Sequence, residues 1–195
     1  MRPEPELEQM LSLAPSRVHE AEGLGRRAFA LFQAARHDAP LVWVLAPRAE
    51  HLPMLRGLPD GVGDRLHVIR PASETDLLWA VEESLRANPV GLVIAEPSLP
   101  LSLTAGRRLQ LAAEAGRTTG LMLIREGQGS NAAETRWHCA PVAGDARDST
   151  LHHWSLIKNK KGTTGNWNLH WNGATAAFDL VSAAGQRHRA AETAR

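Results

Sequence analysis

The chain has a single cysteine, Cys139, among 195 residues. An internal disulfide framework is therefore excluded, and a reducing compartment, the cytoplasm, is the expected setting. No run approaches the roughly 18 consecutive apolar residues that a membrane-spanning helix needs, so no membrane association is expected. The opening residues, Met1-Arg2-Pro3-Glu4-Pro5-Glu6, are acidic and carry no apolar signal core, so export is not expected either. Little net charge remains, only +1 in formal terms. With 43% apolar and 22% charged residues, the chain can bury the core of one domain, and wholesale disorder is excluded.

The small net charge hides an asymmetry. Residues 1–100 carry a balance of −4 and residues 101–195 a balance of +5. The second half is the better candidate to meet an anion, although its excess is modest for a nucleic-acid surface.

Residues 4–12 read as a short amphipathic helix with Leu7, Met10 and Leu11 on one side, broken by Ala14-Pro15-Ser16. A short strand is expected at 17–20, a glycine turn at 23–25, and a helix through Phe29 and Phe32. The continuous apolar runs 41–46, 90–95 and 120–124 have the pattern of strands buried on both faces, with a further short strand at 66–69. Ser73 caps a helix that Asn88-Pro89 ends. Ser102 or Thr104 opens another, with Gly116 suited to the position just past its end. Such alternation predicts an α/β domain with a mainly parallel sheet covered by helices on both faces. After the flexible loop Gly127-Gln128-Gly129-Ser130-Asn131, period-two segments at 134–142, 152–158 and 165–172 predict antiparallel strands added at the sheet edge.

In such a fold the turn between the first strand and the first long helix is where a phosphate loop would sit. A working loop needs glycines for backbone approach, Lys for charge and Ser/Thr for magnesium. Here Gly25 matches the second glycine, with Gly23 nearby, but Glu20 stands in place of the first. Arg26 replaces the lysine and Arg27 the hydroxyl. Competent ATP hydrolysis is not expected; a helix start with solvated arginines is the plainer reading. Glu96, at the end of the 90–95 run, is either a remnant of a magnesium-holding acid or a helix-flanking carboxylate. No Cys/His spacing suggests a metal site, since His138 and Cys139 point to opposite faces of a strand, as do His152 and His153. Cys139 is read as a packing residue.

The most informative stretch is 154–171. It holds all three lysines of the chain, Lys158, Lys160 and Lys161, between segments in which Trp154 and Leu156, then Trp167, Leu169 and Trp171, alternate. This predicts two strands joined by a Lys- and Gly-rich connection, either a solvated tip or a projection whose point charges reach phosphate.

Ile157-Lys158-Asn159-Lys160 is similar to the Val-Lys-Asn-Lys segment late in the RecA recombinase core, where two lysines reach ATP held by the neighbouring protomer. The order of elements also resembles that core. Arg107-Arg108-Leu109-Gln110-Leu111-Ala112-Ala113-Glu114-Ala115, Glu134-Thr135-Arg136-Trp137, Asn166-Trp167-Asn168-Leu169-His170-Trp171 and Leu77-Leu78-Trp79-Ala80-Val81-Glu82-Glu83 resemble the ImuA family, RecA-like and SulA-related accessory proteins of translesion mutagenesis. The resemblance spans about residues 15–185. It implies a RecA-like domain with a degenerate phosphate loop over 15–185, preceded by a helix in 1–14 and followed by a flexible tail at 186–195.

The resemblance further implies a non-catalytic adaptor of the SOS response without a cofactor. Its partners would be an ImuB-like polymerase scaffold, RecA and, indirectly, an error-prone replicative-type DNA polymerase. Lys158, Lys160 and Lys161 would contact the partner's phosphates. The loop at 127–133, with Ser130 and Asn131, and Arg136 would give weak, salt-sensitive contact with single-stranded DNA. Leu7, Met10 and Leu11 would form a docking helix, or fold back on their own domain. The competing expectations are a SulA-like inhibitor of cell division and a residual ATP-binding protein using Gly25, Arg26 and Glu96.

Overall fold

The computed structural model describes residues 11–52, 57–143, 149–172 and 177–183. The central strand β1 (Val18–Glu22) is followed by helix α1 (Arg26–Ala34), β2 (Leu41–Val44), a single turn α2 (Val62–Arg65) and β3 (Leu66–Ile69). Next come α3 (Glu74–Arg86), β4 (Leu92–Ala95), α4 (Leu103–Gly116) and β5 (Thr119–Leu123). Four strands close the described chain: β6 (Thr135–Val142), β7 (Ser149–Asn159), β8 (Gly165–Asn172) and β9 (Ala177–Ala183). They form one nine-stranded sheet in the order β3-β2-β4-β5-β1-β6-β7-β8-β9. Every pairing from β3 to β6 is parallel, and those from β6 to β9 are antiparallel. This is the α/β, RecA-like architecture expected from the sequence.

The apolar runs are strands because both their faces are covered. Leu41, Trp43, Leu92, Ile94, Leu121 and Leu123 pack on the α1 side with Phe29 and Ala30. Val42, Val44, Val93, Ala95 and Met122 pack on the other side under Leu77, Val81 and Leu85 of α3 and Leu109 and Ala113 of α4. The alternating strands β6 to β8 extend the first core. Trp137 and Trp154 each lie 5.0 Å from the Phe29 ring, and Trp167 lies 5.4 Å from Trp137. Cys139 is fully buried beside them, and burial pushes its thiol well above the ordinary range.

Three differences from the sequence reading have physical causes. The segment at 134–142 is only half antiparallel in its pairing: β6 lies parallel to β1, and the antiparallel extension starts at β7. The ninth strand, β9, was not anticipated. Gly116 is the last residue of α4 and not the residue after it; Arg117 takes the left-handed conformation, φ 56°. The glycine is needed for contact between helices, because a Cβ there would lie 2.0 Å from the Leu85 carbonyl oxygen of α3. Ser73 and Ser102 cap α3 and α4 as expected, accepting from the Asp76 and Ala105 N–H groups.

His19 locks β1 to its surroundings. Its Nε2 lies 2.9 Å from the Ala14 carbonyl oxygen and its Nδ1 2.7 Å from the Thr135 hydroxyl. Thr135 in turn accepts from Trp137 Nε1 at 3.2 Å. The consistent pattern is a neutral ring that donates from Nε2 and accepts at Nδ1. Burial holds this ring down at about 4 against the ordinary 6.5.

Two outcomes follow. Gly116→Ala is expected to lower the urea unfolding free energy by about 1–3 kcal/mol, since backbone must shift to admit the methyl group. For His19, the unfolded chain takes up a proton near 6.5 while the folded chain resists until about 4. The stability present above the unfolded value is therefore lost as pH falls through that window, by at most about 3 kcal/mol. Urea titrations from neutral pH to pH ~4 check this. His19→Asn should remove that share of the slope, and an unchanged slope contradicts the neutral ring.

Candidate functional site

Two regions at β1 hold the candidate residues. The first is the turn at its C-terminal end. Gly23 (φ 86°) and Gly25, the N-cap of α1, lie against β6: a Cβ on Gly23 would be 2.4 Å from the Cys139 carbonyl oxygen, and the Gly25 N–H donates to that oxygen at 2.8 Å. The glycines are required here by close approach to a neighbouring strand. The Gly25 N–H, which a phosphate cradle would need, is already spent on the protein's own backbone. Arg26 folds back onto the same turn, its Nη1 donating to the Gly23 carbonyl at 2.9 Å.

Arg27 and Glu96 form a forked ion pair, with Nε to Oε1 at 3.0 Å and Nη2 to Oε2 at 2.7 Å. Trp43 Nε1 donates to the same Oε1 at 2.9 Å. Arg27 is thus not merely solvated, and Glu96 is not a free flanking carboxylate. A fixed guanidinium stands against the Glu96 carboxylate, and a two-pronged pair of this kind is among the stronger charge-assisted contacts. The arrangement closes the corner with the protein's own side chains.

The second region lies beyond the opposite edge of β1, where the loop at 125–134 crosses the α4 side of the sheet. Glu20, 1% exposed, accepts from the Ser130 N–H at 2.8 Å and from Arg136 Nε at 2.8 Å. Arg136 also donates to the Ser130 carbonyl at 2.9 Å. The register of β7 against β6 places Lys158 opposite Arg136. Lys158 Nζ reaches the Ser130 and Asn131 carbonyls at 3.2 and 3.0 Å, and Lys160 Nζ the Ala132 carbonyl at 2.7 Å. Lys161 Nζ lies 3.7 Å from Glu134 Oε1. Burial, and then the Arg136 charge, lower the Lys158 ammonium below its usual value.

The two segments singled out separately in the sequence are therefore one surface. The lysines do not project; Lys158 and Lys160 cap the carbonyls of the very loop read as a DNA contact. Ser130 is buried and Arg136 is held by Glu20, which leaves Asn131 as the exposed member of that set. A cleft of about 510 Å³ opens beside Lys160, lined by Arg17, Arg107, Asn131 and the exposed side chains of Leu103 and Leu111. Nothing in the sequence marked this cleft, whose walls come from α4 and the loop.

Of the expected docking helix, Leu7 and Met10 lie outside the described residues. Leu11 is 2% exposed within the α1-side core, and its carbonyl accepts from Gln33 Nε2 at 2.7 Å. From this point the segment folds back on its own domain. No helix among the described residues is long and apolar enough to cross a membrane.

No family model matches the chain. It is similar to protein ImuA of Caulobacter vibrioides, at 33% identity over 118 residues in each of two strains, NA1000 / CB15N and ATCC 19089 / CIP 103742 / CB 15. The matched region covers 55% of this chain and 48% of each relative, so the chain spans about half the length of the curated relatives it matches.

Removing one partner of the sealed corner should be costly. Arg27→Ala leaves Glu96 largely buried, with Trp43 Nε1 its remaining donor, and is expected to cost about 1–3 kcal/mol in urea unfolding; the range allows for the partial exposure of Arg27. The double variant Arg27→Ala/Glu96→Ala should cost less than the two single changes added together. Strict additivity would mean that the pair is not coupled.

Proposed function

We propose that this chain is a non-catalytic accessory protein of SOS-induced translesion DNA synthesis, an ImuA-type adaptor that docks an ImuB-like polymerase scaffold and RecA. The observation that carries the reading is the Arg27–Glu96 pair: it occupies with the protein's own charges the corner where an active RecA-like enzyme would hold magnesium and phosphate. The similarity to ImuA supports the mutagenesis setting. The error-prone replicative-type polymerase is engaged through the scaffold, and single-stranded DNA only weakly, near Asn131.

Lys158 and Lys160 act on a neighbour's nucleotide. At rest their ammonium groups sit on neutral carbonyls and, for Lys158, against the like charge of Arg136. Phosphate oxygens offered by an adjacent ATP-loaded RecA protomer exchange those contacts for hydrogen bonds charged on both sides, which add the attraction of opposite charges to the hydrogen bond. The exchange favours the docked state, and Lys161, whose side chain is 70% exposed, joins it.

Lys158→Ala/Lys160→Ala should weaken binding to ATP-loaded RecA on single-stranded DNA by at least about tenfold, while co-purification with the ImuB-like scaffold persists. Undiminished RecA binding by a folded variant overturns the role of the lysines. Capture of a cell-division GTPase in place of ImuB and RecA overturns the adaptor assignment.

A further inference from the structure

The C-terminal end of β1 carries a group of side chains that this function does not use. Glu22, Glu126 and His138 each present one ligand atom, all within 4.8 Å of one another. Two of them are fixed by the sheet itself, since Glu22 of β1 stands directly opposite His138 of parallel β6. His138 Nδ1 lies 3.6 Å from Glu22 Oε1 and 4.0 Å from Glu126 Oε1.

Glu22 is only 6% exposed. One of its oxygens accepts from the Gly127 N–H at 3.2 Å, while the other faces the His138 ring at a distance too long for a good hydrogen bond. A carboxylate this buried needs a positive partner. Arg136 is engaged on Glu20 and Arg26 on the Gly23 carbonyl. An ion about 2.0–2.2 Å from each nitrogen and oxygen would span such separations after small rotations of the exposed Glu126. One imidazole with two carboxylates suits a first-row transition ion. Calcium would want six or more oxygens, and magnesium keeps mostly water.

We propose that Glu22, Glu126 and His138 bind one divalent transition-metal ion of the zinc type, which clamps the loop after β5 to the end of β1 and the middle of β6. The reading from sequence missed it because the three ligands come from a strand, a loop and a distant strand, with no motif spacing. Water completes the coordination on the side of Glu126, whose side chain is 70% exposed.

Zinc alone, titrated calorimetrically into the chelator-treated full chain, is expected to bind one ion per chain. His138→Gln should weaken that event by at least about tenfold and abolish the zinc-induced rise in melting temperature. Glu22→Gln should do the same. If it fails to fold, the half-exposed His138 position carries the test. Stoichiometric binding and a melting shift that survive in folded His138→Gln would place the ion on other histidines and overturn the proposal. So would the absence of saturable binding.

Discussion

A buried carboxylate in the central strand organises the lysine-bearing half of this molecule. Glu20 lies inside the sheet with 1% of its surface exposed. An unpaired carboxylate there would be intolerable, so the chain must bring donors to it. It brings two, the Ser130 N–H and the Arg136 guanidinium. The first pins the loop after β5 across the sheet, and the second fixes the start of β6. With the loop pinned, the carbonyls of Ser130, Asn131 and Ala132 form a row within reach of β7, and the lysines settle on it. The lysine surface is in this sense a consequence of an acid two strands away.

The basic residues divide their labour by chemistry. Arginines hold the internal acids: Arg27 as a fork on Glu96, and Arg136 on Glu20 and Arg86 and Arg108 on Glu82 through one contact each. A planar guanidinium suits a permanent two-pronged contact. The three lysines lie on one surface, where the acceptors for Lys158 and Lys160 are neutral carbonyls. Such contacts can be given up for a stronger anion at small cost. The same charge thus locks the fold where it sits on arginine and stays available where it sits on lysine.

Much of the architecture was legible because burial leaves a local trace. The runs at 41–46, 90–95 and 120–124 could satisfy their apolar side chains only as strands covered on both faces, and Ser73 and Ser102 marked their helices. Partner choice leaves no such trace. Alternation in 134–142 shows one buried face but not that the neighbour on one side is the parallel β1. Gly116 reads as a helix terminator, whereas its actual constraint is a carbonyl of another helix. Arg27 and Glu96 lie 69 residues apart, and Lys158 and Ser130 lie 28 apart, so each residue was recognisable as unusual while its partner was not.

The two regions at β1 complement each other. An active nucleotide site must keep amides, a cation site and an acid unsatisfied until its ligand arrives, and that openness costs stability. Here the turn glycines press on β6, the acid is neutralised by Arg27, and Trp43 closes over it. A corner stabilised in this way has its acid and its turn amide satisfied by the protein's own groups. At the other end Lys158 and Lys160 rest on neutral carbonyls and Lys161 lies beside Glu134; in the proposed role the first two exchange those carbonyls for an external phosphate. The paired corner at one end of the strand and the carbonyl-capped lysines at the other are therefore two results of where the chain has placed its internal counter-ions.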